Sequence, residues 1–313
     1  MGLLVYTHNI TPRVKYVFKH ICTRVLGVQV DITTVVEEFI AHQGLKMSYT
    51  KQPLAKELFV QSNDLLFEEG ISDVEINILP WNTTKCFFSV GTKSALPFDI
   101  FAASFYLLSR YEEYLPYVAA DFGRFPPEES VAYKHHFLKQ PVVDIWAYEF
   151  KKVLQDYYPE FEFTEKTFHL QPIIDVPVAY KYKYKGVVRT IGGTLRDFIT
   201  FNFAEVYNRY LVLFKLRKDP YDTFKWLINN HNKRALRPIF FFLLSDYTTY
   251  DKNISFQNKH FVSVIKSVAD YFEVGLKGSF LALDDLQILK TEKQRFETIL
   301  NISLEDTKNS LSK

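Results

Sequence analysis

The stretch Arg237–Asp246, "RPIFFFLLSD", constrains this chain more than any other. Ile239 to Leu244 is an unbroken apolar run, so no side of it is available to face water. It is far too short to cross a membrane. A run of this length reads as a strand buried on both faces, the position a parallel sheet provides when helices cover it. The neighbouring segments supply those helices. "NKHFVSVIKSVADYF" has helical spacing, "EVGLKGSF" is a short strand and its mouth, and "LDDLQILKTEKQRFETIL" is a helix opened by acids. Upstream, "LQPIID" is strand-like, and residues 190–230 form one or two amphipathic helices, with Asp219-Pro220 as a start signal. Alternating strands and helices argue for a parallel sheet or a (β/α) barrel.

The first half has a different texture. Leu3–Tyr6 is a short apolar strand. Thr11 is a natural N-cap, Pro12 suits the first helical position and Gly27 the stop; between them Val14, Val17, Phe18, Ile21 and Val25 share a helix face. "LKMSYT", "ELFVQS", "VEINIL" and "KCFFSV" follow as short strands. Helices are expected over Pro97–Leu115 and from Pro141 to just before Pro159, with "DFGRFPPEES" as the loop between them. Arg124 and His135–His136 lie near this loop and could form a site, although adjacent histidines alternate sides in a strand. The pattern divides the chain at about residues 161–169, into a mixed α/β domain over 1–160 and a second domain over 168–313.

Composition narrows the functional classes. Of 313 residues, 47% are hydrophobic and 24% charged, the balance of a water-soluble protein. The formal charge of +2 gives no global case for nucleic acid or an anionic membrane surface as a partner. Cys22 and Cys86 form no zinc spacing and no disulfide framework. "MGLLVYTHNITPR" lacks the basic-then-apolar order of a secretion signal, and no apolar run is long enough for a membrane span, so a cytoplasmic location is expected.

In parallel α/β folds, chemistry gathers where strands end. Three such ends stand out here: Asp175 in "IIDVP", Asp246, and the segment Gly275–Ser279 in "VGLKGS". With these landmarks the second half resembles the NodB-type polysaccharide deacetylases, the fourth carbohydrate esterase family. The first half, through "FDIFAASFYLLSRYEEYL", "DFGRFP" and "QPVVDIWAYEF", resembles an uncharacterised domain that precedes such deacetylase domains. The resemblance implies an N-terminal mixed α/β domain followed by a partial, distorted (β/α) barrel. It implies removal of acetyl groups from amino sugars with a divalent metal such as zinc. Its later motifs would lie beyond Lys313, so the chain reads as cut short of a whole barrel.

Two positions depart from the family pattern. Asp175 stands where the first acid, a base, belongs, but Pro177 stands where the second, a metal ligand, is expected. Lys277 occupies a histidine ligand's position, and Ser279 is retained. Proline offers no ligand and an ammonium repels a cation, so no cofactor is expected on this chain. Asp175 is then either a residual functional acid or a turn residue, and Lys277 either pairs with it or helps form an anion pocket. Asp246 faces the same mouth or caps its own turn. Ser279 beside Lys277 hints at Ser–Lys nucleophile chemistry, without a wider motif.

The comb Tyr180, Lys181, Tyr182, Lys183, Tyr184, Lys185 reads as an extended segment with rings inward and ammonium groups in water; sugar contact and nucleic-acid contact are the alternatives. The expectation is a deacetylase-family protein with lost or altered activity that contacts a carbohydrate or peptidoglycan-type glycan. The alternative is a non-catalytic glycan-binding or scaffold protein, the latter with its largest exposed aromatic patch on residues 1–160.

Overall fold

A computed structural model describes residues 2–163 and 167–302. The chain divides into two compact units, Met1–Thr167 and Phe168–Lys313. Both mix helices with parallel strands.

In the first unit, β1 (Leu3–Tyr6), β2 (Val30–Thr33), β3 (Lys46–Thr50) and β4 (Leu58–Gln61) form a parallel sheet in the order β2-β1-β3-β4. All four residues of β1 are buried. Leu3 and Val5 face the main core, while Leu4 and Tyr6 meet Phe39 of α2 (Val36–Ala41) on the other side. Helix α1 (Pro12–Phe18) starts where expected, with the Thr11 side chain accepting from the Val14 amide at 3.1 Å. It then widens into a π-helical stretch, Lys19–Val25, which ends near Gly27 at φ 74°.

Two expected elements differ. Of "VEINIL" only the last residue, Leu79, enters a ladder; Val74, Ile76 and Ile78 pack against the core from an irregular segment, and the ribbon partners are β5 (Leu79–Trp81) and β6 (Thr84–Cys86). The Pro97–Leu115 helix is shorter. α3 (Ile100–Leu108) stops at Arg110, which adopts φ 55°, and a 3₁₀ turn follows. The short α4 (Val131–Lys134) and the long α5 (Val142–Tyr157) complete the unit. Trp146 of α5 is fully buried and donates its indole N–H to the Lys85 carbonyl at 3.0 Å, and the Phe18 and Phe101 rings stack at 3.9 Å. Burial of each such ring stabilises the fold by about 1.5–3 kcal/mol.

The second unit contains β7 (Ile173–Val176), three helices α6 (Val187–Ile199), α7 (Phe203–Leu213) and α8 (Phe224–Lys233), then β8 (Ile239–Leu243), α9 (Lys259–Ala269), β9 (Glu273–Lys277) and α10 (Leu286–Leu300). Three helices therefore occupy the span expected to hold one or two, because Phe201 and Asn202 break the first pair. The strands form a parallel sheet in the order β7-β8-β9. Phe240, Phe242, Val274 and Leu276 share a core with Phe224, Ile228, Phe261, Ile265, Phe296 and Ile299 from the helices.

The apolar run in β8 is thus not equally buried on both sides. Phe240 and Phe242 are fully buried, whereas on the opposite face Ile239 and Phe241 are half-buried and Leu243 is buried. The described helices that join this core cover the first face, which leaves the second partly open.

Candidate functional site

The open face places the sequence-derived candidates. Asp175 pairs in register with Phe241, Phe241 with Gly275, and Leu243 with Lys277. Residues paired this way share a face, as do alternate residues of one strand. Asp175, Phe241 and Lys277 therefore project to the same side. The Lys277 ammonium reaches across β8 and forms an ion pair with the Asp175 carboxylate, the side chains being 34% and 52% exposed. Pro177, exposed, ends β7 because it has no N–H to continue the ladder. Gly275 has a steric role: a Cβ there would lie 2.6 Å from Cε1 of Phe241. The ring lies over the bare backbone of β9, and Asp175 and Lys277 flank it. Sequence inspection did not single out Phe241, since nothing in "FFF" says which ring faces the open side.

Asp246 and Ser279 belong to a separate place. A cavity of about 260 Å³ lies past the ends of β8 and β9, lined by Ser245, Asp246, Ser279, Glu292 and Arg295 among others. Arg295 donates to Asp246 at 2.8 Å and to the Leu244 carbonyl at 3.0 Å, and its guanidinium stands 4.1 Å from the Phe256 ring centroid. Asp246 thus pairs with α10 instead of capping its own turn. Ser279 is buried; its amide donates to Glu292 at 3.1 Å and its hydroxyl oxygen accepts from the Ala282 amide at 3.2 Å. Lys277 is committed to Asp175, so the Ser–Lys reading has no geometric basis. The Ser245 hydroxyl, buried on this wall, has no hydrogen-bond partner. Glu292 was missed, yet its spacing showed it. It shares a helix face with Phe296 and Ile299, and an acid on an apolar face asks for a partner.

The remaining candidates serve packing. Tyr180 is buried in the core and meets Tyr184 edge-on at 4.9 Å, and Tyr184 stacks on His260 at 4.2 Å. The comb is a turn and not an extended strand. The Asp219 carboxylate accepts from the amides of Lys181, Tyr182 and Lys183 at 2.9, 2.9 and 3.1 Å, which curls the backbone around it. Burial opposes ionisation of Asp219, but these amides and that of Tyr221 outweigh it and hold its carboxyl below the usual range. His135 and His136 are exposed in the first unit.

Among the described residues, no group of three His, Cys, Asp or Glu side chains is placed to hold a metal ion. Where the sequence resemblance leads one to expect a metal, one carboxylate stands already neutralised by an ammonium, a donor set that does not fit a divalent cation. No described helix is long and apolar enough to cross a membrane.

The family model described as "Family of unknown function (DUF7033)" matches residues 3–159, nearly the whole of the first unit. No curated protein and no solved structure matches the chain.

Proposed function

We propose, for a chain that belongs to the DUF7033 family of unknown function, that the second unit carries a deacetylase-like glycan-binding site without the metal of the deacetylases. In this reading the unit is part of a NodB-type barrel, and its open sheet face is the inner wall. The observation that carries it is the Asp175–Lys277 ion pair spanning β8. A fixed ammonium supplies the positive charge that a cation would supply, and it ties up the carboxylate that would act as base.

Such a face suits a sugar without hydrolysing it. The Phe241 ring offers an apolar platform for a pyranose face, Asp175 accepts hydroxyl hydrogen bonds, and Lys277 donates them. The reading rests on the strand-end residues and on this geometry together.

Calorimetry with zinc, cobalt and nickel on the parent and on Lys277→His tests it, beside titration with chito-oligosaccharides. The expected result is no metal binding tighter than about millimolar by the parent, with saccharide binding that Phe241→Ala abolishes. Tight metal binding by the parent, weakened by Asp175→Asn, would restore the hydrolase reading. Unchanged saccharide binding in Phe241→Ala would remove the platform from the account.

A further inference from the structure

The hairpin formed by α6 and α7 is built inside out. Its internal contacts are ionic. Arg209, buried, forms an ion pair with the buried Asp197 and donates to the Thr194 hydroxyl at 2.9 Å, and Lys181 and the Tyr182 hydroxyl both reach Glu205, at 2.9 and 2.6 Å. Most of its large apolar residues point outward, although Val212 is buried. On α6, Val187, Val188, Ile191, Leu195, Phe198 and Ile199 are 58–85% exposed and fall within one face at helical spacing. On α7 and its C-cap the exposed residues Phe203, Tyr207, Tyr210 and Phe214 repeat at four, three and four residues, again on one face. The two stripes join at the turn, where the Phe198 and Phe203 rings meet at 5.2 Å. Exposed apolar area of this extent marks a binding surface.

Beside the stripe lies a cationic cavity of about 350 Å³. Lys181, Lys185, Arg189, Arg196, Arg209 and Lys252 line it, and no Asp or Glu does. The two carboxylates that pair with members of this group, Asp197 and Glu205, are engaged by Arg196, Arg209 and Lys181. Arg189 is held by the carbonyls of Lys185 and Asn253 and stands over the Tyr247 ring, with no carboxylate partner among the described residues. Among the described residues no ion pair involves Lys185 or Lys252 either. Burial and then the neighbouring Arg189 push the Lys185 ammonium below its usual range, so the cavity carries a positive charge that an anion would relieve. Gly192 and Gly193 keep the α6 wall bare.

We propose that this hairpin docks on an anionic membrane surface, its apolar stripe entering the interface and the cationic cavity receiving a phospholipid phosphate. Charge selects the occupant: a second copy of the hairpin would bring the same cations against these, whereas an anionic bilayer matches both stripe and cavity. An amphipathic helix with a wide apolar face and cationic flanks is the element that lies in such interfaces.

Co-sedimentation of the full chain with phosphatidylglycerol vesicles, against pure phosphatidylcholine vesicles, tests this. Three variants sit at exposed positions and leave the fold intact, which circular dichroism checks: Val188→Asp and Ile191→Asp on the stripe, and Lys252→Glu in the cavity. The expected result is preference for phosphatidylglycerol, weakened by salt. The stripe variants lose binding altogether, and Lys252→Glu loses about tenfold of the preference. Absence of vesicle binding by the parent overturns the proposal. So does a Lys252→Glu preference equal to the parent's. Calorimetric binding of inorganic phosphate or pyrophosphate without vesicle binding would make the cavity a site for soluble anions. A change from dimer to monomer in Ile191→Asp, without vesicle binding, would make the stripe a contact between copies; either result rejects the membrane.

Discussion

Asp99 is a buried acid of the first unit whose charge is costly. It is wholly buried, yet its Oδ1 accepts from the Phe101 and Ala102 amides at 2.9 and 3.0 Å, while its Oδ2 accepts from the Tyr49 hydroxyl and the Asn63 amide at 2.5 and 2.6 Å. It therefore caps α3, ties that helix to β3, and anchors the turn after β4. Burial pushes its carboxyl up to about 6, although Tyr49 and the amides oppose the rise. The folded state then keeps a proton that the unfolded chain has released from about pH 4 upward. Stability from this group is full below about pH 4, falls as pH rises, and levels off above about pH 6. Asp99→Asn lacks the titration and accepts at only one end of its amide, so it is less stable throughout. The stability gap between parent and variant should shrink by up to about 3 kcal/mol from pH 4 to pH 7, in urea titrations. A gap that widens over that range contradicts the assignment.

Asp219 governs an element in the same way that Asp99 governs a cap. The turn through Lys181, Tyr182 and Lys183 carries the chain from β7 to α6, and its amides find their acceptor in one buried carboxylate. Asp219→Ala leaves three or four amides without a partner. The expected cost is about 2–4 kcal/mol in thermal or chemical unfolding, with faster amide exchange at 181–183. Asp219 itself was legible only as the start signal of a helix, because the amides that donate to it lie 36–38 residues away in sequence. The same limit explains which elements could be read. β3 and β4 appear within "LKMSYT" and "ELFVQS", where alternation and turn residues are local facts. "VEINIL" has the same alternation, yet only its last residue joins a ladder, because pairing depends on a neighbour that local pattern does not name. The outward stripe of α6 has the spacing of a core-facing helix; which way it faces was decided by Asp197 and Arg209, whose pairing is tertiary. Likewise the acid at 175 and the cation at 277 are visible in sequence, while their meeting depends on the register of β7, β8 and β9.

At the scale of the molecule, each unit has its own core. One cluster gathers Val5, Phe18, Tyr49, Phe101, Trp146 and Phe150; the other gathers Phe240, Phe242, Phe261, Ile265 and Phe296. The exposed aromatic stripe lies on the second unit, opposite to the expectation that a scaffold role would place it on residues 1–160. Units with separate cores unfold as separate cooperative bodies. Asp99 and Asp219 then become reporters of different transitions, since one sits in each unit. Hydrogen exchange followed by mass spectrometry separates them without requiring their midpoints to differ. Asp99→Asn should lower protection in β1, β3, β4 and α3 and leave β8 and β9 at parental values; Asp219→Ala should do the reverse. The slowest amides of each unit report its own global opening. If both substitutions lowered protection equally in β3 and β8, the chain would be one cooperative body, and the deacetylase-like reading of the second unit would have to be tested with the first as part of its stability.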